Sequence, residues 1–239
     1  MSARTGALYH HFEDIEQQRG AERLGMWMFL ATEIMFFGGV FFAYTVYRLW
    51  YPKDFAAISS QLNVLVAGIN TFILLTSSLT MTLAIRAAQL GKNRALQFHL
   101  LATALLGLAF MGFKTYEYNQ DYHEKLLPWK HDFGTAVLHD HEDDHKPQLQ
   151  VWEEEGVAVH RVRLFMTFYF GMTGIHGVHL LVGIGVVLYL FIRAMRGTLT
   201  PEKYVAVEVT SLYWHLVDAI WLFLMPLLYL AGPHKHLHF

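Results

Sequence analysis

The chain has no cysteine among its 239 residues, which excludes disulfides, iron-sulfur clusters and thiolate-bound metals. It also lacks a strong charge of either sign. The formal net charge is -2 at neutral pH, and no basic cluster is interleaved with aromatics, so nothing attracts a nucleic-acid backbone. No internal repeat recurs along it. No signal peptide is expected either, because residues 1–23 contain no apolar core and the first apolar run carries an acid without a small-residue cleavage site.

What the chain has in quantity is apolar surface. Hydrophobic residues make up 54% and aromatics 15%, the composition of an integral membrane protein. Residues 24–47 read LGMWMFLATEIMFFGGVFFAYTVY, with Glu33 the one charge. At about 1.5 Å rise per residue, a helix of this length crosses a hydrocarbon core of about 30 Å. A carboxyl group at that depth must be protonated, hydrogen-bonded or turned toward protein. Helical spacing surrounds it with Phe29, Leu30, Phe36, Phe37 and Val40 and supplies no basic partner, so a partner is expected from elsewhere in the protein. This first span is expected to organise the rest.

The fold class predicted is all-α, an integral membrane bundle of five transmembrane helices. The spans lie at about 24–48, 64–86, 96–118, 164–192 and 205–231. Residues 1–23 form an N-terminal segment, 24–232 the membrane domain, 119–160 an extramembrane loop and 233–239 a tail. Tyr51-Pro52-Lys53-Asp54 reads as a turn after the first span. The short connections around 86–94 and 193–203 are rich in lysine and arginine, which places them in the cytoplasm by the positive-inside bias. The N-terminus is then cytoplasmic, while loop 119–160 and the C-terminus lie on the outer face.

Loop and tail contain His139, His141 and His145 among acids, then His234, His236 and His238. Such histidines can ligate zinc or copper, but nothing fixes their geometry, and a solvated acidic loop is the simpler reading. Polar groups inside the spans are more regular. His176 and His179 lie at i, i+3 among glycines. Glu208, Ser211, His215 and Asp218 form one stripe on the last span, for which His176 and His179 are the candidate partners by type. Asn70 and Ser77 share a face of the second span; His99 and Thr103, then Lys114 and Glu117, pair up along the third. These groups can form an interhelical hydrogen-bond network or handle protons. Haem ligation by two histidines on one helix is poor geometry, because both approach the ring from one side.

The residues also carry a resemblance. Arg23 to Phe37 (RLGMWMFLATEIMFF), Glu117-Tyr118, His176-Gly-Val-His179 and Tyr213-Trp214-His215-Leu-Val-Asp218-Ala-Ile-Trp221, in this order, are similar to motifs of subunit III of the haem-copper respiratory oxidases. The resemblance covers nearly all of residues 23–232. It implies a cofactor-free helical subunit packed directly against catalytic subunit I, in a complex with subunit II and other membrane subunits. Haem and copper are then expected in the partner subunits, with no catalytic, metal or cofactor-binding residue in this chain. Bound phospholipid, support for proton uptake and protection of the oxidase during turnover are implied too. The family's polar positions fall on Glu33, Glu117, His176, His179, Glu208, Tyr213, Trp214, His215, Asp218 and Trp221.

Two departures stand out. Many members have seven spans, and the first two, absent here, form one wall of the lipid cleft, so another chain would have to supply that wall. Loop 119–160 is also long and suits a partner outside the membrane. The expected function is therefore an accessory subunit of an oxygen-reducing proton pump in a bacterial plasma membrane, fed by cytochrome c or quinol. A subunit accompanying nitric oxide reductase is the alternative within the resemblance, and a small proton-coupled transporter the alternative outside it.

Overall fold

The computed structural model describes residues 12, 14–60, 62–123, 125–130, 133–134, 156–199, 204–230 and 232. The histidines of 139–145 and those at 234, 236 and 238 lie outside them, as does the whole of the 233–239 tail. Six helices follow in order among the described residues: α1 (Ile15–Trp50), α2 (Pro52–Ser59), α3 (Val64–Gln89), α4 (Asn93–His123), α5 (Val159–Met195) and α6 (Val205–Tyr229). All but α2 are long and apolar enough to cross a membrane. The protein is an all-α integral membrane protein with five spanning helices.

Four of the five spanning helices overrun the expected spans because their polar flanks are good helix formers, while α6 ends at Tyr229, two residues short of its expected end. Asp14 caps α1 by accepting the Gln17 amide at 2.7 Å, and Gln18 bonds Glu22 one turn on, so the helix starts well ahead of Leu24. Asn63 does the same for α3, accepting the amides of Leu65 and Val66 at 3.1 and 3.2 Å. Gly91 and Gly197 close α3 and α5 in the left-handed region, each with φ of 67°. In both, amides of the two residues past the helix fold back onto its last carbonyls, the Schellman arrangement that a glycine permits.

The turn expected at Tyr51-Pro52-Lys53-Asp54 is instead a bend that leads straight into α2. Pro52 occupies the first position of that helix, where its missing N–H costs nothing and its fixed φ suits the helix.

By Cα proximity the chain divides into two compact units. The first comprises Met1–Gly38, Ile73–Leu108 and Val178–Ile220; the second comprises Gly39–Phe72, Ala109–Gly177 and Trp221–Phe239. Each long helix therefore gives part of its length to each unit.

Burial corrects the expectation that the first span organises the chain. In its most apolar window α1 has 11% of residues buried, whereas α6 has 50%. The physical reason is bulk: α6 carries Trp214, Trp221 and Tyr229, all among the largest fully buried side chains, and large rings dominate packing area. In the first unit, Trp214 lies against Gly107 of α4 and Gly183 of α5, where a Cβ would approach its ring to 2.9 and 3.2 Å. Glycine at those two positions is what lets the indole enter.

Candidate functional site

Within the first unit, Glu33 of α1 does find its partner on another helix. Its carboxylate lies 3.0 Å from His179 Nε2 of α5, with both side chains mostly covered, 18% and 22% exposed. The imidazole also meets the edge of Phe37 at 5.3 Å. Tyr213 of α6 donates its hydroxyl to the His179 backbone carbonyl at 2.9 Å, so α1, α5 and α6 are tied at one level. A second pair joins α1 to α6: Arg23 contacts Glu208 at 2.9 Å, with 42% and 27% of the side chains exposed.

The α6 stripe does not engage the two histidines as anticipated. Glu208 takes Arg23, and Ser211 bonds back to the Glu208 carbonyl of its own helix. His215 turns to α3, with Nδ1 at 2.7 Å from Ser78 Oγ and Nε2 at 3.5 Å from Thr82. Trp214 donates to Ser77 at 3.0 Å. Helical register decides this, since Ser78 and Thr82 lie one turn apart on one face of α3, where His215 meets both. Asp218 is buried beside Ser78, but neither of its oxygens reaches good hydrogen-bond geometry with another described residue. Thr103 meets Thr80 at 2.7 Å and also bonds the His99 carbonyl.

In the second unit the polar groups are more deeply enclosed. Lys114 Nζ lies 2.9 Å from Glu117 one turn along α4, and 2.9 Å from the Tyr229 hydroxyl of α6. Tyr169 of α5 donates to the Glu117 carboxylate at 2.6 Å, and Tyr229 donates to the same oxygen. Rings of Tyr118, Tyr169, Trp221 and Tyr229 stand within 5.2–5.6 Å of the ammonium. The cation is thus matched by one carboxylate, two hydroxyl contacts and an aromatic surround, as a buried charge requires.

His176 belongs to this unit. It is 1% exposed and packs between Phe110 and Trp221 at 5.7 and 5.4 Å. Trp221 donates to Thr71 at 3.1 Å. Asn70, expected to share a face with Ser77, is fully buried here, with its amide unbonded among the described residues.

Sequence reading missed several members of these clusters. Lys114 and Glu117 were legible as an i, i+3 pair, but Tyr169 and Tyr229 look like any aromatic in an apolar run. Asp54 of α2 pairs with Arg161 of α5 at 2.8 Å, and that guanidinium also covers the Tyr51 ring at 4.3 Å. Tyr44 and Ser59 donate to the carbonyls of Leu227 and Leu228 at 2.8 and 2.7 Å. Those carbonyls belong to the last turn of α6 and have no partner in their own helix. Among the described residues, no three histidine or acidic side chains converge as metal ligands.

Comparison with known proteins gives one consistent result. A family model described as cytochrome c oxidase subunit III matches residues 4–123 and 156–233. Cytochrome c oxidase subunit 3 of Alkalihalophilus pseudofirmus is 27% identical over 209 residues, covering 87% of this chain and 86% of that protein. The probable quinol oxidase subunit 3 of Staphylococcus saprophyticus is 30% identical over 213 residues, covering 88% and 89%. Cytochrome c oxidase subunit 3 of Arabidopsis thaliana is 28% identical over 219 residues, covering 88% of this chain and 68% of the plant protein.

Proposed function

The chain belongs to the cytochrome c oxidase subunit III family, and on that premise we propose that it is an accessory subunit of a haem-copper terminal oxidase. Haem and copper, and the oxygen chemistry they supply, belong to partner subunits. This chain packs against subunit I, within a complex that also contains subunit II, and it supports proton uptake and the lifetime of the enzyme during turnover. The setting is a bacterial plasma membrane, with the N-terminus cytoplasmic and the 119–160 loop and C-terminus on the outer face.

The observation that carries a packing role is the closure of three pairs of ionisable groups, on or beside the spans, inside the chain itself. Glu33 meets His179, Glu208 meets Arg23, and Lys114 meets Glu117. Groups that relay protons or hold a cofactor need access for water or ligand; Lys114 and Glu117, the most enclosed of these, are bonded to each other and to the hydroxyls of Tyr169 and Tyr229. Subunit 3 proteins of both cytochrome c and quinol oxidases are among the relatives, so the electron donor is left to the partner subunits.

The test is to isolate the complex from membranes with and without this chain. The expected result is unchanged haem spectra, a similar initial rate of oxygen consumption and faster loss of activity during turnover when the chain is missing. Loss of a haem or copper signal along with the chain would overturn the assignment.

A further inference from the structure

Between the last turns of α4 and the first third of α5, the second unit contains an open groove of about 540 Å³, within the size range of small-ligand sites. Its walls are the rings of Tyr118, Tyr122, Trp129 and Phe170, with Thr167 and Gly171 one turn apart on α5. The Tyr118 hydroxyl is committed to Thr173 at 2.6 Å, and the Thr167 hydroxyl to the Arg163 carbonyl at 2.8 Å. What remains facing the groove is therefore almost wholly apolar. Tyr122 and Trp129 are 50% and 69% exposed, as aromatic rings are where a membrane meets water.

Two cations stand at the end of this groove nearer the segment that follows α4. Lys130 Nζ lies 3.8 Å above the Tyr122 ring. Arg163, one turn before Thr167 on α5, lies 5.1 Å above Phe133. Neither has a carboxylate partner among the described residues. Asp121, the last acid of α4, is buried.

We propose that this groove binds one acyl chain of an anionic phospholipid whose phosphate is held by Lys130 and Arg163. An apolar slot on membrane-spanning helices faces acyl chains as its solvent, and cations at its end that have no carboxylate partner among the described residues complement a phosphodiester. A quinone ring would need polar partners across its width, and the groove surface is almost wholly apolar. The site differs from the lipid cleft implied by the family resemblance, because α4, α5 and the segment after α4 supply its walls without another chain. It does not depend on the assignment as an oxidase subunit.

The test uses the native complex that this chain purifies with, extracted in mild detergent. Phosphatidylglycerol and phosphatidylethanolamine retained per copy of the chain are counted by mass spectrometry. Gly171→Leu fills the groove, and it does so in open space, since a Cβ there meets nothing within 4 Å. It is expected to remove about one phospholipid per copy. Lys130→Gln with Arg163→Gln is expected to keep the lipid but reduce the preference for phosphatidylglycerol, by about fivefold for each cation lost. A photoreactive residue in place of Thr167, in the otherwise unaltered complex, should yield an adduct of phospholipid mass. Equal lipid retention in the three complexes, or an adduct to a peptide of this chain or of another subunit, would overturn the proposal.

Discussion

The two units use ionisable side chains in different ways. In the second, Lys114 and Glu117 have side chains only 7% and 11% exposed, and two tyrosines complete their hydrogen bonds. In the first, Glu33 and His179 keep about a fifth of their surface open, and Arg23 with Glu208 more than that. A buried pair with satisfied partners fixes three helices but tolerates no loss of either member. A half-open pair adds less, and the bilayer interface or water can replace what is removed. The difference teaches that position in a span says little about what an acid does; enclosure and partner count decide it.

The sharpest way to break this contrast is Lys114→Met, which strands Glu117 among aromatics. The expected cost is about 3–5 kcal/mol, the scale for one partner lost from a buried pair. Loss of this subunit from the detergent-extracted complex is the readout, by subunit stoichiometry. Next comes Tyr229→Phe, which removes one donor to Glu117 while Tyr169 and Lys114 stay in place. About 1–3 kcal/mol is expected, seen as dissociation at a lower detergent concentration than wild type. Smallest is Glu33→Gln, which keeps a hydrogen-bond partner for His179. A change near 0.6 kcal/mol is expected, the average for an interhelical bond in a membrane. Its retention should match wild type within error, and release of the subunit by Glu33→Gln equal to that by Lys114→Met would erase the distinction.

Much of this was legible in the sequence, for physical reasons. Long apolar runs can satisfy their backbone in a bilayer only as helices, so the five spans follow from composition. Polar residues inside them were found because they are rare and costly. Their partners were not legible, because pairing is a matter of rotation and register between distant segments. Arg23 and Glu208 are separated by 185 residues, and Ser78 and His215 by 137. Glu33 drew attention by its charge, yet the most buried helix is α6, whose tryptophans and tyrosines read as ordinary membrane aromatics. Tyr169 and Tyr229 became visible as polar groups only when their hydroxyls met Glu117. Helix α2 was read as a turn because proline marks turns and helix starts alike.

The central claim is that the paired charged side chains, Lys114 with Glu117 above all, hold helices together and take no part in the chemistry of the complex. The direct test is the double variant Lys114→Met with Glu117→Leu, which exchanges the buried pair for apolar side chains of similar size. Such exchanges are often neutral, whereas loss of one partner is not. If the pair only packs, the double variant is expected to recover most of the subunit retention lost by Lys114→Met, and oxygen consumption and proton translocation per intact complex should equal wild type. Full retention of the subunit with proton translocation abolished would contradict the claim and put Lys114 and Glu117 on a proton path.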